Sequence, residues 1–123
     1  LMISGKKIPF VNENTNMKKA LELITQKKLG ILIAINQRKI TTGIITDGQI
    51  RRSSHKNESL ITSSVKKIMT KNPISVDKNM LAVKALAIMS DKKITSLCVH
   101  KGAKRGKTIG VLHIHNILDG NIS

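Results

Sequence analysis

Two stretches of sequence decide the fold: residues 17–35, MKKALELITQKKLGILIAI, and residues 82–100, AVKALAIMSDKKITSLCVH. The second stretch repeats the pattern of the first 65 residues further along the chain. In each stretch, apolar residues at i, i+3, i+4 and i+7 predict an amphipathic helix, at positions 17, 20, 21 and 24 and again at 82, 85, 86 and 89. A Lys-Lys pair and a short apolar strand follow each helix. The chain is therefore an internal duplication.

Matching elements flank the two predicted helices. Asn14 and Asn79, also 65 residues apart, stand where helix N-caps are expected. Each copy is predicted to run strand, helix, strand, strand, helix, with a proline in its first extended segment. The predicted flanking elements are extended segments at 8–11 and 72–76, strands at 31–35, 43–46, 97–100 and 110–113, short helices at 48–52 and 115–118, and a helical turn at 65–69.

The duplication predicts an α/β (α+β) fold made of two half-domains. A copy of about 60 residues buries too little surface to be comfortably stable alone. We therefore expect the two copies to pack sheet to sheet about a pseudo-two-fold axis, leaving two related clefts where ligands can bind. The first copy spans residues 1–56, the linker 57–64 and the second copy 65–123.

Composition narrows the range of functions. The formal net charge is +15, from 22 basic and 7 acidic residues, and 18 of the basic residues are Lys. Specific nucleic-acid recognition depends on Arg forks and aromatic stacking, but the chain has four Arg and one aromatic residue, Phe10. Lys, Ile and Asn are also the residues that an A+T-rich genome favours. We expect a solvated basic surface rather than a nucleic-acid site.

The same composition bears on the compartment. The longest apolar run has about seven residues, far short of the roughly 20 that span a bilayer, and no secretory signal is visible. The single Cys98 excludes an internal disulfide and fits a reducing cytosol, in which it is a small core residue. We predict a cytoplasmic protein without a membrane partner. Because the first residue is Leu, we also expect the chain to be part of a longer protein.

Three phrases resemble a tandem cystathionine-β-synthase (CBS) domain pair, or Bateman module: IMTKNPISV at 68–76, MSDKKITSL at 89–97 and GIITDGQIRR at 43–52. The last two, with GVLHIH at 110–115, also resemble the C-terminal half of arabinose-5-phosphate isomerases. Those enzymes interconvert ribulose 5-phosphate and arabinose 5-phosphate for synthesis of the lipopolysaccharide sugar Kdo. Their N-terminal sugar-isomerase domain carries the catalytic residues, and nothing like it is present. The resemblance thus implies a non-catalytic part of an isomerase.

The resemblance also implies a regulatory ligand: AMP, ADP, ATP or CMP-Kdo. In the CBS family a hydroxyl residue precedes an Asp by three positions, and that carboxylate grips the ribose diol through charge-assisted hydrogen bonds. Here both carboxylates are replaced by amides, which retain one acceptor and lose the charge. The ligand-binding residues implied are Thr46, Asp47, Gln49, Arg52, Ile74, Ile94, Thr95, Ser96, His113, His115 and Asn116.

Two interpretations stay open. In the first, the chain is a sensor whose ligand shifts the parent enzyme between states. In the second, the amides mark a structural or oligomerisation module that has lost its ligand. The resemblance implies the isomerase domain of the same polypeptide as a partner, and a homodimer of modules within a tetramer. A metal site at His113 and His115 is disfavoured, since spacing reveals no third ligand.

Overall fold

The computed structural model describes residues 3–27, 29–56, 60–80, 82–104 and 106–114. The chain forms two compact units. The first unit is Pro9–Pro73, and the second unit combines Leu1–Ile8 with Ile74–Ser123. The chain thus passes from one unit to the other at the two prolines.

Eight strands and four α-helices occur among the described residues. Short 3-10 turns at Gly5–Lys7 and Leu60–Thr62 accompany them. In chain order the elements are β1 (Ile3–Ser4), β2 (Phe10–Asn12), α1 (Met17–Lys27), β3 (Ile31–Ile35), β4 (Thr41–Thr46), α2 (Asp47–Lys56), α3 (Val65–Ile68), β5 (Thr70–Lys71), β6 (Ser75–Asp77), α4 (Ala82–Lys92), β7 (Ser96–His100) and β8 (Gly110–His113).

Each unit contains one four-stranded sheet. In the first unit the strand order is β2-β3-β4-β5, with β2 parallel to β3 and the other pairs antiparallel. In the second unit the order is β1-β8-β7-β6, with β6 parallel to β7 and the other pairs antiparallel. The strand registers repeat as the sequence does, since Phe10 pairs with Ile33 and Ser75 pairs with Cys98.

The edge strands β1 and β5 are the elements that the sequence did not predict. Strand β1 precedes the first copy but pairs with β8, and β5 belongs to the second copy but pairs with β4. Each unit therefore takes one edge strand from the other half of the sequence. A strand of two residues has too few positions to show an alternating pattern, so periodicity could not reveal it.

The predicted helix faces form the cores of the two units. Met17, Ala20 and Ile24 of α1 are buried against β3 and β4 residues of the first sheet. Ala85 and Met89 of α4 are buried against β7 in the same way. The α/β class and the β-α-β-β-α order are confirmed for the first copy. The second copy shows the same order through β8, and its predicted last helix at 115–118 lies outside the described residues.

The N-cap prediction was wrong. Helix α1 is capped by Asn16, whose Oδ1 accepts a hydrogen bond of 2.9 Å from the backbone N–H of Lys19. The backbone N–H of Asn14 instead donates to Asn12 Oδ1 at 2.8 Å, in the turn that ends β2. An asparagine side chain serves a turn as readily as a helix cap, which is why the sequence could not separate the two roles.

Asn79 plays the same part in the second copy. Its backbone N–H donates to Asp77 Oδ1 at 2.9 Å, and α4 begins, in the described residues, only at Ala82. The two asparagines are therefore equivalent, as their spacing indicated, but as turn residues.

Helix α2 also differs from its prediction, because it runs from Asp47 to Lys56 rather than over 48–52. In the described ranges, no helix combines the length and the apolar character needed to cross a membrane.

Candidate functional site

The junction between β4 and α2, here called the first junction, spans residues 46–52. Thr46 is the last residue of β4 and caps the helix: its Oγ1 accepts a hydrogen bond of 3.2 Å from the backbone N–H of Gln49. This bond satisfies one of the free N–H groups of the first helical turn. The Thr46 hydroxyl, a predicted ligand contact, therefore already has a structural role.

A glycine holds the start of α2 against the segment that follows α1. The backbone N–H of Asp47 donates to the carbonyl of Gly30 at 3.0 Å. Gly30 has φ +69°, and a Cβ there would come within 3.1 Å of Asp47 Oδ2. Both the left-handed backbone and the close carboxylate require glycine at this position. The exposed Asp47 side chain thus lies beside Gly30.

Gln49 occupies the position at which the family has its ribose-binding aspartate. Its half-buried side chain turns to the protein itself, and Nε2 donates a hydrogen bond to the backbone carbonyl of Ile68 at the end of α3. A carboxylate has no N–H with which to make this bond. Glutamine here joins the start of α2 to the segment that leads into β5.

Arg52 completes the first junction one turn further along α2. Its Nη1 lies over Gly48, within 3.3 Å of the place that a Cβ would take. The guanidinium therefore folds back along its own helix, and its residue remains exposed.

The second junction consists of residues 94–96, which lead into β7, together with 113–114 at the end of β8. The backbone N–H of Ile114 donates to the carbonyl of Thr95 at 2.8 Å. This bond is the counterpart of the one between Asp47 and Gly30, displaced by 67 and 65 residues. The two junctions thus share one backbone arrangement and differ in side chains.

Ser96 is the most unusual residue of the second junction. It pairs with His113 across β7 and β8, is only 7% exposed, and its Oγ has no hydrogen-bond partner among the described residues. A buried hydroxyl without a partner costs about 1–3 kcal/mol. Nearly all buried polar groups in proteins are hydrogen-bonded, so this one stands out.

Two predicted site residues of the second unit have backbone and packing roles. Ile74 and Ile94 are half-buried and pack against the core of Val76, Ala85, Met89, Leu97 and Val99. The Ile74 carbonyl accepts from the Cys98 N–H at 3.0 Å, and the Ile94 N–H donates to the Met89 carbonyl at 2.9 Å.

Beyond the junction, β6 and β7 carry several further polar groups. Ser75 Oγ lies 2.6 Å from Nδ1 of the buried His100. Hydrogen bonds from the backbone N–H groups of Asn79 and Gly102 lower the pKa of Asp77. Burial raises the pKa of the Cys98 thiol to about 11. The protonated, buried thiol confirms that Cys98 is a core residue and not a nucleophile.

The structure groups the predicted residues into these two junctions. Thr46, Asp47, Gln49 and Arg52 lie together at the first, and Ile94, Thr95, Ser96 and His113 lie at the second, with Ile74 on the neighbouring chain segment. His115 and Asn116 lie outside the described residues. Within the described ranges no group of three or more potential metal-binding side chains occurs. An open groove of about 560 Å³ along α1 contains none of the predicted site residues.

The sequence interpretation missed three groups at the first junction. Gly30 and Gly48 allow the close approach of Asp47 and Arg52, and the backbone carbonyl of Ile68 receives the Gln49 side chain. The alignment of Gly30 with Thr95 in the repeat was a usable signal for the first of these. A backbone carbonyl leaves no signal in the sequence.

Comparison with protein families matches this arrangement. The family model described as the CBS domain matches the chain twice, over residues 2–56 and 65–121. Among solved structures, CBSX2 in complex with AMP aligns with a TM-score of 0.82 and 24% identity, covering 97% of this chain and 90% of that one. A CBS-domain containing protein of Agrobacterium tumefaciens, ATU1752, aligns with a TM-score of 0.82 and 18% identity, covering 91% and 82%. These structures establish the fold.

Curated relatives are similar over the whole chain. The uncharacterized protein RP505 of Rickettsia prowazekii is 35% identical over 123 residues. The arabinose 5-phosphate isomerase KdsD of Yersinia pestis is 34% identical over 122 residues, and that of Escherichia coli K12 is 33% identical. The matches cover 99–100% of this chain but only 36–37% of each relative, so the chain spans about a third of their length. In KdsD the matched region is the C-terminal part. The chain belongs to the CBS domain family and carries a pair of these domains.

Proposed function

We propose that the chain is the regulatory, ligand-sensing module of an arabinose 5-phosphate isomerase that serves Kdo and lipopolysaccharide biosynthesis in the cytoplasm. The observation that carries this proposal is the duplicated junction, in which a strand end and one backbone hydrogen bond recur in both units. Similarity to KdsD along the whole chain supports an isomerase as the parent protein.

The ligand that we propose is an adenosine nucleotide, AMP, ADP or ATP, or the nucleotide sugar CMP-Kdo. A net charge of +15 favours phosphate-bearing ligands. The first junction is poorly suited to a ribose, because the amide of Gln49 is engaged with Ile68. The second junction is better suited, since Ser96 has a hydroxyl without a partner among the described residues. The complex of CBSX2 with AMP supports the nucleotide class by analogy of fold.

In this proposal the ligand acts on partners within the same assembly. The partners are the sugar-isomerase domain of the same polypeptide and a second module in a homodimer. Regulation requires that the ligand bind one state of the enzyme more tightly than another. The residues of this chain would bind and orient the nucleotide, and the chemistry would belong to the isomerase domain.

The alternative is a structural or oligomerisation module of the same enzyme that no longer binds nucleotide. The bond from Gln49 to Ile68 favours it, because a residue at the ligand position stabilises the fold instead. This alternative predicts that nucleotides leave isomerase kinetics unchanged, whereas deletion of the module disrupts the assembly.

Isothermal titration calorimetry of the chain with AMP, ATP and CMP-Kdo separates the two. The sensing proposal predicts a saturable heat with at least one of them below millimolar concentration. The absence of heat with all three at millimolar ligand refutes sensing and leaves the structural role.

A further inference from the structure

We propose that the chain binds one nucleotide, at the second junction, and that the hydrogen bond from Gln49 to Ile68 closes the first junction to such a ligand. This inference rests on the proposed sensing function and adds the location and the stoichiometry of binding. It makes Gln49 a specificity-determining residue that acts by withdrawing a site.

At the first junction the polar groups that a ribose needs are already engaged. Thr46 Oγ1 accepts from the backbone N–H of Gln49, and Gln49 Nε2 donates to the Ile68 carbonyl. The second bond fixes the plane of the amide and hence the direction of its single acceptor, Oε1. A diol that turned this amide toward itself would leave the Ile68 carbonyl without its donor. Binding at this junction therefore breaks a bond for each one that it forms.

The second junction differs at the equivalent positions. The repeat places Thr95 opposite Gly30 and Ser96 opposite Ile31, so two hydroxyls of the second unit replace a glycine and a fully buried isoleucine of the first. Thr95 is exposed, and Ser96 Oγ has no partner among the described residues. These are the hydroxyls available for the polar groups of a ligand, and the first unit has no counterpart of either.

The buried hydroxyl of Ser96 also indicates how binding would improve the site. Its Oγ is enclosed, so it reaches a ligand by rotating about χ1. The rotation sacrifices no hydrogen bond to the described residues. A nucleoside monophosphate at the start of β7 would supply the missing partner from its ribose or phosphate oxygens.

The experiment is a titration of the 123-residue chain with AMP, followed by calorimetry and by backbone amide NMR shifts. We expect one AMP per chain, with the largest shifts at Thr95, Ser96 and Leu97 and small ones at Gly48 and Gln49. Ser96→Ala should weaken AMP binding roughly three- to tenfold, the effect of one hydrogen bond. The matched control is Ser75→Ala in the same sheet, whose hydroxyl already contacts His100; its AMP affinity should stay within about twofold of the unchanged chain.

Two AMP molecules per chain, shifts centred on Gly48 and Gln49, or unchanged affinity in Ser96→Ala would overturn the inference while leaving the sensing function in place. No AMP binding at millimolar concentration, together with none of ATP or CMP-Kdo, would overturn the sensing function and this inference with it. If Ser96→Ala does not fold, as shown by thermal denaturation, the stoichiometry and the shift map of the unchanged chain still decide.

Discussion

Replacing Gln49 with glutamate tests the role of its hydrogen bond to Ile68. The substitution keeps the size of the side chain but replaces the N–H donor with an oxygen that faces the carbonyl oxygen. Loss of the bond costs about 1 kcal/mol, and holding a half-buried carboxylate against a carbonyl adds about 1 kcal/mol more at pH 7. For a chain of this length, a loss of about 2 kcal/mol corresponds to a fall in Tm of roughly 6–10 °C.

The effect should depend on pH in a defined direction. The carbonyl of Ile68 disfavours the charged form, so the pKa of the carboxyl introduced at position 49 should be raised in the folded state above its unfolded value of about 4.3. Stability is then lost as pH rises through this range, and at pH 4 the protonated carboxyl can donate to the carbonyl and restore the bond.

Thermal denaturation of Gln49→Glu and the unchanged chain at pH 4 and pH 7 measures both effects. The exposed Gln37→Glu is the matched control for the change of charge, and it should shift the Tm little at either pH. An equal Tm for Gln49→Glu and the unchanged chain at pH 7, or the same deficit at both pH values, would refute the proposed role of this bond.

Three further predictions concern stability. Gly43→Ala should destabilise the chain by about 1–3 kcal/mol in urea unfolding, because its Cβ would overlap the buried Met69 side chain, and Met69→Ala should cost less in that background than alone. Asn16→Ala should cost about 1 kcal/mol by loss of the α1 cap, whereas Asn14→Ala should cost much less, since only the backbone of Asn14 is used; equal losses would contradict the assignment. The lowered pKa of Asp77 means that its contribution to stability, present at neutral pH, is lost as pH falls through the folded-state pKa, so Asp77→Ala should flatten the acid side of a plot of Tm against pH.

The features predicted well from the sequence are those with a long periodic signal. The 65-residue repeat placed both long helices, and the faces of Met17 and Ala85 are buried as the period predicted. Strands β3 and β7 have continuous apolar character and were placed within one residue of their ends. These elements are decided by burial of apolar residues, which the sequence records directly.

The features that escaped prediction depend on single contacts between distant residues. The exchange of β1 and β5 between the halves of the sequence rests on backbone pairing of two-residue strands. The extension of α2 beyond Arg52 places polar residues in a helix, which amphipathic periodicity does not register. At the candidate site, the loss of the carboxylate at Gln49 was visible in the sequence. The Ile68 carbonyl that replaces a ligand as its partner was not, because every residue carries such a group.

The most direct test of the central claim is a crystal structure of the chain soaked with AMP. The account predicts nucleotide density beside Thr95 and Ser96, with the Ser96 hydroxyl hydrogen-bonded to the ligand and Gln49 still donating to Ile68. Density beside Gln49 with its bond to Ile68 broken, or no nucleotide at either junction, would contradict it.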